Sequence, residues 1–422
     1  MSVCAVRRRA RALRLGAYVM LLGQVACGGG SGSLSSSTSS GTGGSGPVAA
    51  APNVVSVAVT GGPGNDNVNT LYTTLTVCKP GTSTCQTIDN IQVDTGSYGL
   101  RILSQALTLS LPVTTTANGE ALLECTEFLD GYSWGPLAEV DVKVSGESAS
   151  SVAVQLIGDP RYPNVPAECA SGAPTAEDTV AAFGANGILG VGPFAQDCGT
   201  YCVDNIPSPA VYYACSSSSA CQGTTLALAS QVQNPVTLFA KDNNGTIISL
   251  PGVPAGGEAS VSGSLIFGID TESNNASGTV SVVPVTTEGP FSGLLTTDFN
   301  GQTLSASFVD SGSNAYYFDD SSIPECSSNS NSQSMPQFYC PASLQSLSAM
   351  FPLSSGRTVT VSFEAGNADE LSASFTAFPD LAGTNPTSGS FDWGLPFFYG
   401  RRVLTAIQGY STSAGAGPYI AF

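Results

Sequence analysis

One short pattern occurs twice in this chain, and few folds can hold it. Ile91 to Leu103 reads IQVDTGSYGLRIL and Phe308 to Phe318 reads FVDSGSNAYYF. Each copy places an Asp, a hydroxyl residue, a Gly and a Ser between two apolar runs. The apolar runs predict buried strands, and the Gly lets the backbone turn sharply beneath the Asp. The neighbouring hydroxyls can hold the carboxylate oxygens by hydrogen bonds. Either copy alone is an ordinary turn sequence. Two copies are the parts of a paired-carboxylate site, with Asp94 and Asp310 as its acids and Thr95, Gly96, Ser97, Ser311, Gly312 and Ser313 as their supports.

The rest of the composition narrows the chemistry. The 422 residues suffice for two domains or one large two-lobed unit, and Gly, Ser, Thr and Val dominate over charge, as in an all-β chain with many turns. There is no His. His-based triads, His metal sites and His general bases are thereby excluded.

Residues 1–27 read as a targeting signal. Arg7, Arg8, Arg9, Arg11 and Arg14 precede an uncharged apolar run, Leu15 to Ala26, too short to span a bilayer comfortably. The run ends at Val25-Ala26-Cys27 and three Gly, which resembles a bacterial lipoprotein signal with Cys27 as the lipidated residue, although Gln24 stands where Leu is usual. An ordinary cleaved signal and a twin-arginine signal are the alternatives. Removing the segment takes five of the 13 basic residues and none of the 31 acidic ones, leaving a formal net of −23. Such a surface repels nucleic acid and anionic lipid. The expected setting is exported, outer-membrane or periplasmic, with the membrane reached through the lipid anchor only. Residues 28–53 are Gly/Ser-rich and predict a flexible linker.

With Cys4 and Cys27 in the signal, ten Cys remain, an even number in an exported chain. Spacing suggests Cys78–Cys85, Cys326–Cys340 and, by remainder, Cys125–Cys169, with two further bridges among Cys198, Cys202, Cys215 and Cys221. Cys198-x3-Cys202 would also suit a metal site. The even count favours disulfides, and no metal or cofactor is expected.

Strands are expected at Val54 to Val59, Leu71 to Val77, Gln86 to Val93, Leu137 to Val144, Ser151 to Ile157, Gly263 to Ile269, Val280 to Val285, Gln302 to Val309, Val359 to Phe363, Leu371 to Phe378 and Pro418 to Phe422. Thr225 to Val232 reads as one of the few helices. GILGVG (Gly187 to Gly192) follows Asp94, and the apolar, Gly-punctuated GLPFFYGRRVLTAI (Gly394 to Ile407) follows Asp310, at comparable intervals. The architecture is thus duplicated, with one lobe at 54–250 and the other at 251–422.

This ordered set resembles the pepsin-like aspartic peptidases, over about Val54 to Phe422. DTGS and DSGS match their two catalytic motifs, and Ile188-Leu189-Gly190 matches the ILG that threads behind the first catalytic loop. Asp392-Trp393-Gly394 is a poor copy of the second such element. The resemblance implies an all-β, bilobal fold with a cleft between lobes, in which Asp94 and Asp310 activate a water that attacks a peptide bond, without cofactor, in a monomer acting on a peptide or protein. Thr95 and Ser311 would bond across the lobe junction. The family's flap usually carries a Tyr-Gly pair; here CTEFLDGYSWGPL offers Tyr132 or Trp134, and Arg101 stands where a Trp is usual. DTGS, the CKPG-type loop and WGLPFFYGR together also resemble a family of bacterial exported proteins of unknown function. A catalytically silent binding or structural protein of the same fold is the competing reading.

Overall fold

Alternating burial is the rule that builds this molecule. In the stretch from Leu137 to Val144, the side chains of Val140, Val142 and Val144 are buried, while Glu139 and Lys143 face solvent. That period of two makes a half-buried strand, and each buried Val contributes roughly 1.5–3 kcal/mol. The computed structural model describes residues 51–171, 175–287, 292–327, 338–385, 387 and 389–422. The signal, Cys27 and most of the linker lie outside the described residues.

The first half of the chain supplies β1 (Val54–Val59), β2 (Leu71–Cys78), β3 (Cys85–Asp94), β4 (Tyr98–Leu103), β5 (Ala121–Glu127), β6 (Tyr132–Val144), β7 (Glu147–Ile157), β8 (Gly187–Val191), β9 (Tyr212–Ser217) and β10 (Ala220–Gly223). The second supplies β11 (Gly245–Ser249), β12 (Val261–Phe267), β13 (Val282–Pro284), β14 (Leu295–Phe299), β15 (Gln302–Val309), β16 (Tyr316–Tyr317), β17 (Gln345–Pro352), β18 (Thr358–Ala365), β19 (Ala382–Gly383), β20 (Asp392–Trp393), β21 (Arg402–Ala406), β22 (Ser411–Thr412), β23 (Gly415–Ala416) and β24 (Tyr419–Ala421). The α-helices among the described residues are single turns, Val180–Phe183 and Tyr201–Asp204. The fold is all-β.

A large sheet runs β10-β9-β5-β6-β7-β4-β8-β3-β2-β1-β12-β11-β21-β24-β13, and a smaller one runs β18-β17-β14-β15-β20-β16-β19. Residue 250 lies in the link between β11 and β12, which pair with each other, so the large sheet continues across it. One apolar core reaches from Val57 to Ile420 and draws on both halves.

Both halves repeat one unusual crossing. β8 inserts between β3 and β4, parallel to the first and antiparallel to the second. In the same way β20 inserts between β15 and β16. The chain therefore leaves each Asp loop, travels far, and returns through the gap it opened. Gly190 and Gly394 are needed at these returns: a Cβ on either would stand 2.5 Å from Tyr98 N or 2.1 Å from Ala315 O.

Two expected elements are different. Thr225 to Val232 is not an α-helix; a short 3-10 turn covers Leu228–Ser230. Buried Leu226 and Val232 anchor its ends, and Gln231 Nε2 donates to the Leu226 carbonyl, so the backbone is tied to tertiary partners instead of to its own next turn. Leu371 to Phe378 is not a strand. It turns at Ser372–Phe375 and meets its neighbours through the Glu258–Ala377 bridge and a bond from Thr376 Oγ1 to the Val59 carbonyl of β1. Among the described residues the disulfides are Cys78–Cys85, Cys125–Cys169, Cys198–Cys202, Cys215–Cys221 and Cys326–Cys340.

Candidate active site

The two Asp loops meet face to face at the junction of the halves, and their bonding is nearly symmetric. Gly96 N–H donates to Asp94 Oδ1 at 2.7 Å, and Gly312 N–H donates to Asp310 Oδ1 at 2.7 Å. Ser97 Oγ donates to Asp94 Oδ2 at 2.5 Å, while Ser313 Oγ lies 2.9 Å from Asp310 Oδ2. Each carboxylate thus has one oxygen on a backbone donor and one on a hydroxyl.

The loops are stitched to each other across the junction. Thr95 Oγ1 donates to the Val309 carbonyl and accepts from Ser311 N–H, at 3.1 and 3.0 Å. Reciprocally, Ser311 Oγ donates to the Val93 carbonyl and accepts from Thr95 N–H, at 2.9 and 3.1 Å. Gln92 adds a bond from Nε2 to the Gly312 carbonyl at 3.0 Å. Four mutual bonds from two short side chains fix the spacing of the Asp residues without any bulk between them.

The glycines set how near the carboxylates come. A Cβ on Gly96 would stand 2.6 Å from Asp310 Cγ, and one on Gly312 would stand 2.6 Å from Asp94 Oδ1 and 3.0 Å from Asp310 Oδ1. Any side chain there would occupy the space where the two acids approach. Both carboxyl groups are fully buried, at 0% exposure. Burial, the facing Asp94 and the nearby Asp392 together hold the Asp310 carboxyl well above the usual carboxylate range. A narrow crevice beside Gly96, lined by Tyr98, Pro193, Val285, Gly293 and Leu294, adjoins the pair.

The inserted strands complete the loops. Gly190 sits opposite Asp94, with Ile188 and Leu189 along β3, and Gly192 N–H donates to the Ser97 carbonyl. On the other side Asp310 N–H donates to the Trp393 carbonyl and Leu395 N–H to the Ser313 carbonyl. Trp393 and Gly394 therefore take the places that Leu189 and Gly190 hold in the first half. Trp393 is fully buried, stacked on Phe391 at 4.2 Å, with its Nε1 donating to Thr297 Oγ1.

Arg101 has a different role from the one its position suggests. It is 1% exposed and ion-pairs with Glu124 at 2.5 Å and Asp197 at 3.1 Å. It also donates to Thr126 Oγ1 and the Tyr98 carbonyl. Burial opposes its charge, but Glu124 and Asp197 outweigh burial and hold its pKa above the ordinary value. Burial, with Glu124 beside it, pushes Asp197 up, and Tyr212 donates to Asp197 Oδ1 at 2.5 Å. This cluster ties β4, which leaves the Asp94 loop, to β5 and β9.

Tyr132 and Trp134 have their contacts in the hairpin's own core. Trp134 packs edge-on against Tyr213 at 5.1 Å and its Nε1 donates to the Tyr162 carbonyl. Tyr132 is bridged through its backbone to Thr175 and Glu177. Both belong to the cluster around the Cys125–Cys169 disulfide.

The site also holds a residue that the motifs do not reveal. Asp392 is fully buried, and its Oδ2 lies 2.7 Å from Ser313 Oγ. An acidic residue in a slot that holds Ile188 in the other half is the signal that points to it.

The family described as "Protein of unknown function (DUF3443)" matches residues 49–422. The chain belongs to that family. Among curated proteins none matches it. Among solved structures it is similar to an aspartic proteinase from Irpex lacteus, at 14% identity and a TM-score of 0.49, over 87% of this chain and 96% of that one.

Proposed function

We propose that this DUF3443 chain is an aspartic endopeptidase of pepsin-like build. The observation that carries the reading is the symmetric, mutually bonded pair of Asp loops with a glycine of each loop turned toward the opposite carboxylate. Two carboxyl groups so close cannot both ionise easily, so the pair keeps one proton. Burial, Asp94 and Asp392 bias that proton toward Asp310. Asp94 then takes a proton from a water, the water oxygen attacks the peptide carbonyl carbon, and Asp310 donates its proton toward the carbonyl oxygen. The substrate is a peptide or protein, and none of these steps requires a cofactor. Five disulfides fit an oxidising, exported setting, with lipidation at Cys27 part of the same reading. No helix among the described residues is long and apolar enough to cross a membrane.

A second reading, a catalytically silent binding protein, is favoured by one feature: neither carboxyl group is exposed. A peptide reaches them only if the segments covering the pair part. Digestion of a peptide library between about pH 2 and pH 7 separates the readings. The peptidase reading requires cleavage that is lost in Asp94→Asn and in Asp310→Asn, since Asn is near-isosteric but cannot exchange the proton. It also requires inhibition by a statine, whose hydroxyl replaces the attacking water. Folded protein that cleaves nothing supports the silent reading.

A further inference from the structure

Ser313 stands between two carboxyl groups. Its Oγ is 2.9 Å from Asp310 Oδ2 and 2.7 Å from Asp392 Oδ2. A serine hydroxyl has one hydrogen and can donate to one of them only. With two carboxylates, the other contact would set a lone pair against an anion, in a place where all three side chains are fully buried. Both contacts are attractive only if one carboxyl group carries a proton and donates it to Oγ. This proton is a property of the second half alone. In the first half Ser97 serves Asp94, and the slot corresponding to Asp392 holds Ile188, which cannot compete for the hydroxyl.

We propose that Asp392 is a positioning residue that stores a proton for Asp310 through Ser313, and so keeps the Asp94–Asp310 pair singly protonated to higher pH than two carboxyl groups alone would. The proposal rests on the peptidase reading. In one state, reached once Asp310 has given up its own proton, Asp392 Oδ2–H donates to Ser313 Oγ, and Ser313 Oγ–H donates to the Asp310 carboxylate at Oδ2. In the other, the first proton has passed to Oγ and the hydroxyl proton has passed to Asp310, leaving Asp392 as the carboxylate. Two O–H bonds break, two form, and the net charge is unchanged. When the stored proton is finally lost, the negative charge on Asp392 opposes loss of the next one from Asp310.

The surroundings favour retention. From β16, Tyr316 and Tyr317 pair with Trp393 and Asp392. The Tyr317 hydroxyl donates to Asn314 Oδ1, and burial holds Tyr316 well above the usual phenol range, as a neutral group. Phe308 and Val309 on β15 are apolar. Across the junction stands Asp94, a further acid. The opposing group is Arg401, which lies over the Phe397 ring, donates to the Phe397 carbonyl and pulls Tyr316 down, though by less than burial pushes it up.

The test is Asp392→Asn, in which the side-chain amide keeps a donor on Ser313 but has no proton to give and no charge to acquire. Asp392→Ile, which installs the first half's residue, is the second variant. Two readouts are followed: the pH midpoint of the buried carboxylic-acid carbonyl band in the infrared, and the alkaline limb of the cleavage profile. Both should move to lower pH by about one unit in either variant, so that cleavage at about pH 7 falls roughly tenfold relative to its optimum. An unmoved midpoint in both folded variants overturns the assignment, whatever the rates. A wild type that cleaves nothing, with a midpoint that moves as stated, refutes the peptidase reading and leaves the stored proton in place.

Discussion

Replacing Arg101 with Met tests whether the buried charge cluster holds the first half together. Methionine fills much of the same volume, so the loss is mainly electrostatic. Arg101 makes two ion pairs and bonds to Thr126 Oγ1 and the Tyr98 carbonyl, all in a site sealed from solvent. Removing it leaves Glu124 and Asp197 facing each other without a cation. Breaking a buried pair by deleting one partner costs about 3–5 kcal/mol. Asp197 is already biased toward its protonated form by burial and by Glu124, so it can shed part of that cost by taking up a proton. The loss should therefore be larger at about pH 8 than at about pH 5. Urea unfolding at both pH values gives the midpoint and slope needed. A triple variant, Arg101→Met with Glu124→Leu and Asp197→Asn, removes the stranded charges while leaving Tyr212 an acceptor, and should recover most of the stability. A single-variant loss below about 1 kcal/mol, or a triple variant no better than the single one, would refute the reasoning.

Three further outcomes follow from the same geometry. Burial first, then neighbouring acids, raises Asp310 and Asp197; their contribution to stability is full below the unfolded value of about 4 and is lost as pH rises through their folded values, so the melting temperature should fall from about pH 5 to pH 8 by calorimetry. Gly312→Ala would place a methyl group 2.6 Å from Asp94 Oδ1, and peptide cleavage should drop by about a hundredfold or more in a protein whose circular dichroism is unchanged. Replacing Cys125 and Cys169 with Ala opens a closure of 44 positions, which should cost roughly 4 kcal/mol in denaturant unfolding.

Short-range patterns were legible in the sequence; partners distant along the chain were not. The Asp loops could be read because each is a local turn between apolar runs, and β1 and β15 could be read because alternation or apolar content marks a strand. The helix expected at Thr225 to Val232 failed because its ends, Leu226 and Val232, are held by separate tertiary partners while Ala227, Leu228 and Ala229 between them are exposed. β17 was missed because its outward face is Ser-rich, although Ala349 and Phe351 face the core. Arg101 looked like the loss of a positioning aromatic. Its partners Glu124 and Asp197 come from other strands and loops, and no spacing rule joins the three. Asp392 looked like a damaged apolar slot, because nothing near it in sequence shows that Ser313 waits on the other side. Which Cys of the 198–221 group pair together was also open, until the turn at Tyr201–Asp204 and the β9–β10 hairpin separated them into neighbours.

The returning strands give this molecule an order of events. β8 must reach the gap beside Asp94 from well downstream, and β20 must reach the gap beside Asp310 later still. Until residues 393 and 395 are in place, Asp310 N–H lacks its carbonyl partner and the Ser313 carbonyl lacks its donor. Pairings of such long sequence separation form slowly. A growing or half-folded chain therefore carries two isolated turns and no acid pair, and competence arrives only with the completed fold. A truncation anywhere before Gly394 should leave a chain that binds no statine, however well its first half is formed.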